Sequence, residues 1–593
     1  MTNKFIKKTK LNVHSMIRHG SVAVITLFSV GILFGMENVM LAFPIALTST
    51  VMGRQNFHVK TMSKALRIIL LDLTIVIAAH ISSLNLLLAI PINFTAIFLI
   101  MYTIVSPYDL TFYKPFLMLF IFTQYTAVPT SQLYLRVMAV ILGIGIVILA
   151  SIIKKVNEKS VLGNSVMVSL GYINEQLEKI LNNAYDDELQ DKGSKAMRDL
   201  AYKIYITRHR DYLTTNLGKI QFGLFISIEY FNISLRLLKD KFDNGGVNRC
   251  DIDKIKEIIE DIIKYEKNEI QLESIKSKLR IYITLEGQRL SNILCEMDSR
   301  KKEKHFEKEN FDMNVDLIGA LSVILNCIEE LESLGNREIN KIYDQWERTD
   351  IDRPRVAFKE YLDKDSIRLK FAMRMSLTMT AALFLGETLG YYKVIWAIIT
   401  MMSIMQPYYE DTIARTKERV IGNILAIVVT GVIINIADSK LVTIIILVAS
   451  LYLLYGFKEY YKMSLFAGIA SICISSLTYN INQLIIYRIV YVVIGVIAVI
   501  LVNKYVFPYR LKDGIDALVR KILRLKKQLI KDVQDSENKK FKEHDIRDIV
   551  IHSTLLSQKL YLRNLQYGDE SIEEFICENN KFVIFLAYDS LKI

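Results

Sequence analysis

Two textures alternate along the chain. Residues 20–153 and 370–507 are long apolar runs separated by short polar stretches, while 156–362 and 511–593 carry charges at helical spacing. Each apolar block divides into six runs: 20–35, 39–53, 66–84, 87–105, 115–128 and 133–153 in the first, and 371–390, 393–407, 420–437, 441–457, 463–479 and 484–503 in the second. An apolar helix of about 20 residues crosses a bilayer, and lipid cannot satisfy free backbone groups, so helices are the form expected of such runs. Strand-like alternation is absent. The pattern predicts an all-α, polytopic membrane protein. It has an N-terminal tail (1–19), a six-helix transmembrane block (20–155), a helical domain (156–365), a second six-helix block (366–508) and a helical C-terminal tail (509–593).

Charge between the runs sets the expected orientation. Short loops rich in Lys and Arg stay cytoplasmic. Basic segments follow every second run: the N-terminus, Arg54–Arg67, the region of Lys114, Lys154–Lys155, Arg368–Arg374, Arg415–Arg419, Lys458–Lys462 and Lys504–Lys512. The intervening loops near Glu37, Ser82, Pro129, Glu387, Asp438 and Gln483 are poor in bases. Both termini and both charged blocks are therefore expected in the cytoplasm.

The two apolar blocks read as copies. At an offset of 355, Gly35, Val39, Ala42 and Thr61 fall on Gly390, Val394, Ala397 and Thr416, and Lys60 and Lys64 fall on Arg415 and Arg419. At 348, Tyr113 and Lys114 fall on Tyr461 and Lys462; at 352, Arg136 and Gly143 fall on Arg488 and Gly495. An even number of spans per copy makes the repeats parallel, related by an axis along the membrane normal.

Composition narrows the function classes. The 593 residues are 52% apolar yet 23% charged, with a formal net charge of +12. With the apolar blocks located, that charge points to anionic lipid or an anionic substrate, not to nucleic acid. The basic amphipathic stretch Arg520–Asp532 is suited to an anionic lipid surface. Five cysteines without CxxC or Cys/His spacing support neither a disulfide framework nor a zinc site. No phosphate-binding GxxxxGK[ST] loop and no nucleophile–base constellation is present, so neither enzymatic activity nor a cofactor is expected.

The second run of each block is short, and short segments at matching places in two repeats point to a binding site. A proline lies in or after each, Pro44 and Pro407, and predicts a kink or break. Bases follow on one helix face: Arg415 and Arg419 in the second copy; Lys60, Lys64 and Arg67 in the first. Arginine grips a carboxylate through two parallel hydrogen bonds and stacks on rings, so Gln406 and Tyr408 beside these bases join the candidates. Arg136 and Arg488 stand at the outer entrance of the last run of each copy, where the loop-charge rule gives no reason for a base, and are pathway candidates on that ground. Asp72, inside the third run, is a candidate proton relay, with an ion pair to Arg67 or Lys64 as the competing reading.

The stretch Ser366–Val429, with Arg368, Arg374, Trp396-Ala397, Gln406-Pro407, Arg415, Arg419 and Gly422, resembles the fusaric acid resistance family, also described as aromatic acid exporters; Arg488 and Gly495 fit the same pattern. In the first copy Val51-Met52 replace Gln-Pro and Arg67 replaces the glycine. The resemblance implies export of organic, often aromatic, carboxylates from a bacterial cytoplasm by a secondary route, with a small organic anion and the bilayer as partners and homo-oligomerisation open. A more distant similarity to plant aluminium-activated malate transporters implies an anion channel as the alternative, and a membrane-anchored scaffold is the other.

Overall fold

A computed structural model describes residues 11–52, 61–104, 112–152, 163–207, 216–245, 247–284, 306–334, 366–390, 394–436, 439–476, 481–536 and 543–591. Among these residues every regular element is helical. The chain forms two compact units: Met1–Lys155 with Ile351–Gly514, and Val156–Asp350 with Ile515–Ile593.

The first unit opens with α1 (Val13–Phe34), capped by the Asn12 side chain, which accepts from Ser15 N at 3.0 Å. It ends at Gly35, whose φ of 86° is open to glycine and costly for other residues. There follow α2 (Val39–Met52), α3 (Thr61–Leu84), α4 (Leu86–Leu99, continued by a π turn at Ile100–Ile104), α5 (Lys114–Tyr125) and α6 (Leu133–Ile152). Among the described residues five segments are long and apolar enough to cross a bilayer: Val13–Phe34, Ala65–Leu84, Leu86–Ile104, Thr130–Ile152 and Gln483–Tyr505.

The second unit carries the charged segments. It contains α7 (Asn164–Leu181), α8 (Asp187–Thr207), α9 (Asn216–Asp243), α10 (Arg249–Glu266), a helical run over 272–284 and α11 (Phe306–Ser333). α9 is buried on every side between Leu224 and Leu235, as expected of a helix apolar all round. α7, α8 and α11 pack against it. Burial raises the pKa of its Glu229 carboxyl, an effect partly offset by Arg198 and Ser194.

The first unit resumes with α12 (Ile367–Leu389), α13 (Ile395–Ile404), α14 (Tyr409–Ile436), α15 (Lys440–Gly456), α16 (Tyr460–Ser476) and α17 (Ile481–Tyr505). After α18 (Leu511–Ser536), α19 (Glu543–Tyr567) and α20 (Glu570–Leu591) return to the second unit, packing on α8 and α9 respectively. The middle and C-terminal charged segments, separate in sequence, thus share one core.

Within the first unit, α4 packs on α12 and α15 packs on α1. Gly143 of α6 lies against α2: a Cβ there would stand 2.9 Å from Ile45 Cγ2. Gly495 of α17 lies against α13 in the same way, 3.0 Å from Ala397 O and from Thr400 Cβ.

The two shortest helices of this unit fall far short of a hydrocarbon layer of about 30 Å. At about 1.5 Å per residue, α5 rises about 18 Å and α13 about 15 Å. Both are almost wholly buried, so their exposed ends fall inside protein, where non-helical backbone is tolerated. Each C-terminal end is capped by a buried arginine. Arg136 of α6 donates to Thr123 O (3.0 Å) and Thr126 O at the end of α5. Arg374 of α12 donates to Gln406 O (3.1 Å) and Pro407 O (2.7 Å) past the end of α13. Arg136 meets carbonyls that a helix end leaves without intrahelical partners; Arg374 meets carbonyls of the turn between α13 and α14.

Three expectations from the sequence change here. α2 runs unbroken through Pro44, and Thr48 Oγ1 donates to its carbonyl at 3.1 Å. α14 begins at Tyr409 and not near 420, because Pro407 ends the preceding strand of chain and Glu410 and Asp411 favour a helix N-terminus. Arg415 and Arg419 therefore stand in the second and third turns of a helix and not in a loop. α3 likewise begins at Thr61.

Candidate functional site

A cavity of about 390 Å³ opens inside the first unit. Its walls come from α2, α5, α13, α14, α16 and the start of α17, with Leu454 and Lys458 at the end of α15. Three features define its chemistry.

The first is charge. Lys114, Arg415, Arg419, Lys458 and Arg488 line the cavity, and no carboxylate does so among the described residues. Arg488 is buried. Its Nε donates to Asn423 Oδ1 at 3.0 Å and its Nη1 to Ser471 Oγ at 2.9 Å. These bonds fix the plane of the guanidinium. Asn423 is itself oriented, donating to Arg419 O at 2.8 Å. Arg419 is 5% exposed, and its buried Nε has no hydrogen-bond partner among the described residues. A buried donor left unpaired carries a desolvation cost of about 1–3 kcal/mol, or more when charged.

The second is the arrangement of rings. Trp396 lies under Arg488, with the guanidinium carbon 5.1 Å from the ring centre. Tyr460 lies under Arg415 at 4.2 Å, its hydroxyl donating to Ser403 O at 3.3 Å. Phe43, Phe122 and Tyr125 complete an aromatic lining. The third is size: the volume falls in the range of small-molecule sites, about 300–1,000 Å³.

The residues singled out in the sequence separate accordingly. Arg415, Arg419 and Arg488 come together at the cavity. Arg136 does not line it: fully buried, it is engaged by Asn38 Oδ1 (3.1 Å) as well as by Thr123 and Thr126. Gln406 is away from the cavity and donates to Met405 O at 2.9 Å. Tyr408 is buried against Tyr509, with ring centres 5.7 Å apart. Arg67 is exposed on α3. Lys64 stands in the first turn of α3, with its side chain outside the described residues, and Lys60 lies outside them altogether. Asp72 is buried on α3, away from the cavity, and neither carboxylate oxygen has a hydrogen-bond partner among the described residues. Of the two ion pairs expected for it, the one with Arg67 does not form, and the one with Lys64 falls on a side chain outside the described residues.

The sequence reading missed Lys114, Lys458, Trp396 and Tyr460 as site residues. Lys114 was visible as the repeat partner of Lys462, yet Lys462 pairs with Glu459. Only the fold tells these two lysines apart.

Comparison with known proteins bears on one part of this unit. Residues 380–502 match the family model described as fusaric acid resistance protein-like, a segment that runs from α12 to α17 and supplies Trp396, Arg415, Arg419 and Arg488. No curated protein and no solved structure matches the chain.

Proposed function

We propose that this chain, a membrane protein carrying a fusaric acid resistance protein-like segment over residues 380–502, moves small organic anions out of the cell through the cavity between α2, α5, α13, α14, α16 and α17. One observation carries the reading: five cationic side chains and a set of aromatic rings surround a single cavity that no carboxylate lines among the described residues. A carboxylate head meets Arg488 and Arg419, and an aromatic body lies along Trp396 and Tyr460. An interior negative by 100 mV favours exit of a monovalent anion by about 2.3 kcal/mol, on the order of 50-fold in concentration. Such export is secondary transport and involves no chemical step.

The topology assigned to this function is twelve membrane segments in two parallel repeats, with both termini and the charged unit in the cytoplasm. The reciprocal packing of α4 on α12 and α15 on α1 supports the repeat. So does the glycine of the last helix in each half meeting the second helix at matching residues, Ile45 and Thr400, which are 355 apart. Single cysteines in the loops near Glu37 and Gln483, in a cysteine-free background, should react with an impermeant thiol reagent on intact cells, and one at Arg300 should not. For transport itself, purified protein in proteoliposomes should exchange 4-hydroxybenzoate and terephthalate faster than succinate, and faster than protein-free vesicles do. Equal rates with and without protein for the whole panel would refute the reading.

A further inference from the structure

Asp72 is unexplained by the cavity. It lies near the midpoint of α3, on the face formed with Ala65, Ile75, Val76 and Ala79, which is packed into the core of the first unit. It is 1% exposed, and neither oxygen has a hydrogen-bond partner among the described residues. A buried ionised carboxylate is sustained by a counter-charge and hydrogen bonds, and ionisable groups inside membrane segments mark functional positions.

Among the described residues no cation near Asp72 provides that compensation. On its own helix, Arg67 is exposed, His80 lies two turns on and meets the Thr130 hydroxyl at 3.4 Å, and the Lys64 side chain is outside the described residues. α3 packs against α4, α5 and α6. α4 carries no titratable side chain, and Tyr102 stands on the turn after it. α5 carries Lys114 and Tyr125, both turned to the cavity. α6 carries Tyr134, which is exposed, and Arg136, which is engaged by Asn38, Thr123 and Thr126. A metal cation needs several converging oxygen ligands, and no group of three or more His, Cys, Asp or Glu exists among the described residues. A proton needs one carboxylate.

The helix between Asp72 and the anion cavity is α5. Pro115, Met118, Phe122 and Tyr125 present one face of it to the cavity. Phe116, Leu117, Phe120 and Ile121 are buried in the core cluster that also holds Ile75, Val76 and Ala79 of α3. Two more buried polar atoms without partners, Thr123 Oγ1 and Gln124 Oε1, are on this helix. A displacement of α5 that reshapes the cavity therefore also changes the surroundings of Asp72.

We propose that Asp72 is a proton-binding site that couples anion movement to the proton gradient, a role that rests on the cavity being the anion pathway. In the packed state the carboxyl holds one proton. When α5 moves and water reaches α3, the proton leaves to the opposite side, and the anion in the cavity crosses in the other direction. One proton is bound and released per cycle, and no bond other than the carboxyl O–H is formed or broken.

The test uses full-length protein in proteoliposomes with terephthalate, which stays ionised and membrane-impermeant near neutral pH. Counterflow at equal pH reads the anion pathway alone; accumulation driven by a pH gradient, with the potential clamped at zero, reads coupling. Wild-type protein should do both. Asp72→Asn, which keeps the shape and removes the titration, should lose driven accumulation by about tenfold or more while counterflow stays within about twofold. Asp72→Glu should recover part of the driven accumulation. Retained driven accumulation in the Asn variant overturns the proposal, as does loss of both readouts in a correctly folded protein. Wild-type counterflow without any pH-driven accumulation overturns it and leaves the anion pathway standing. Absence of wild-type counterflow defeats both.

Discussion

Arg136 and Arg488 occupy matching positions in the two halves of the membrane unit, 352 residues apart, and do different work. Each reaches the fifth helix of its own half at a matching place, Thr123 and Ser471, which are 348 apart. The first helix ends there. α5 stops at Tyr125, so the carbonyls of Thr123 and Thr126 are open to Arg136, and with Asn38 they engage all three of its nitrogens. α16 continues to Ser476, which keeps the Ser471 carbonyl within the helix, and Arg488 receives only the hydroxyl. Its second partner is Asn423 of α14, and the residue lines the cavity. Under the proposed repeat, the local length of one helix decides whether the matching arginine is held by backbone carbonyls or lines the cavity.

The largest effect that separates the two falls on folding. Arg136→Leu strands Asn38 Oδ1 and two buried carbonyls, each worth about 1–3 kcal/mol. It should sharply lower thermal stability in detergent, while the protein that remains folded keeps its KM. Arg488→Leu should show the reverse, with flux reduced about 10- to 100-fold for the loss of a charge-assisted bond of about 1.5–3 kcal/mol. Stability should fall less than in Arg136→Leu, since only Asn423 Oδ1 and the Ser471 hydroxyl lose a donor and no backbone carbonyl does. Arg488→Lys keeps the charge and loses the planar fork, so it should retain anion attraction and lose discrimination among carboxylates.

Replacing Arg415 and Arg419 together by Gln should raise KM about tenfold, with expression and insertion intact, because these groups meet the anion on a helix already formed by α14. Unchanged KM would return them to a purely topological role. The smallest effect is at Tyr460. Tyr460→Ala removes the ring under Arg415, worth about 0.5–1 kcal/mol, and should lower flux about two- to fivefold for aromatic carboxylates and less for succinate. An equal loss for both would mean that the ring only supports α16.

The helices of the membrane unit were legible because apolar runs of span length are hard to produce otherwise, and the basic loops set their rhythm. Arg415 and Arg419 were legible as bases four apart on one helix face, and Arg488 as a base where the loop-charge rule gives no reason for one. The boundaries at α13 and α14 were not: a charged stretch after Pro407 reads as a loop, yet Glu410 and Asp411 begin a helix that carries the arginines inward. Arg374 was visible as part of a basic segment and within the resembling stretch. Its role as the cap on the end of α13 depends on carbonyls 32 and 33 residues away, which no spacing rule reaches. The role of Trp396 depends on Arg488 of a helix far along the chain.

Trp396 offers the most direct test of the cavity, because its ring lies against the guanidinium proposed to hold the anion. In a Trp346→Phe background, Trp396 is the chain's remaining tryptophan. Titrating that purified protein with terephthalate should give a saturable change in tryptophan emission, and adding Arg488→Leu should abolish it while the emission of the free protein still reports a folded environment. A saturable response of the same affinity in the Arg488→Leu protein, or none in the parent despite active counterflow, would contradict an anion bound between Arg488 and Trp396.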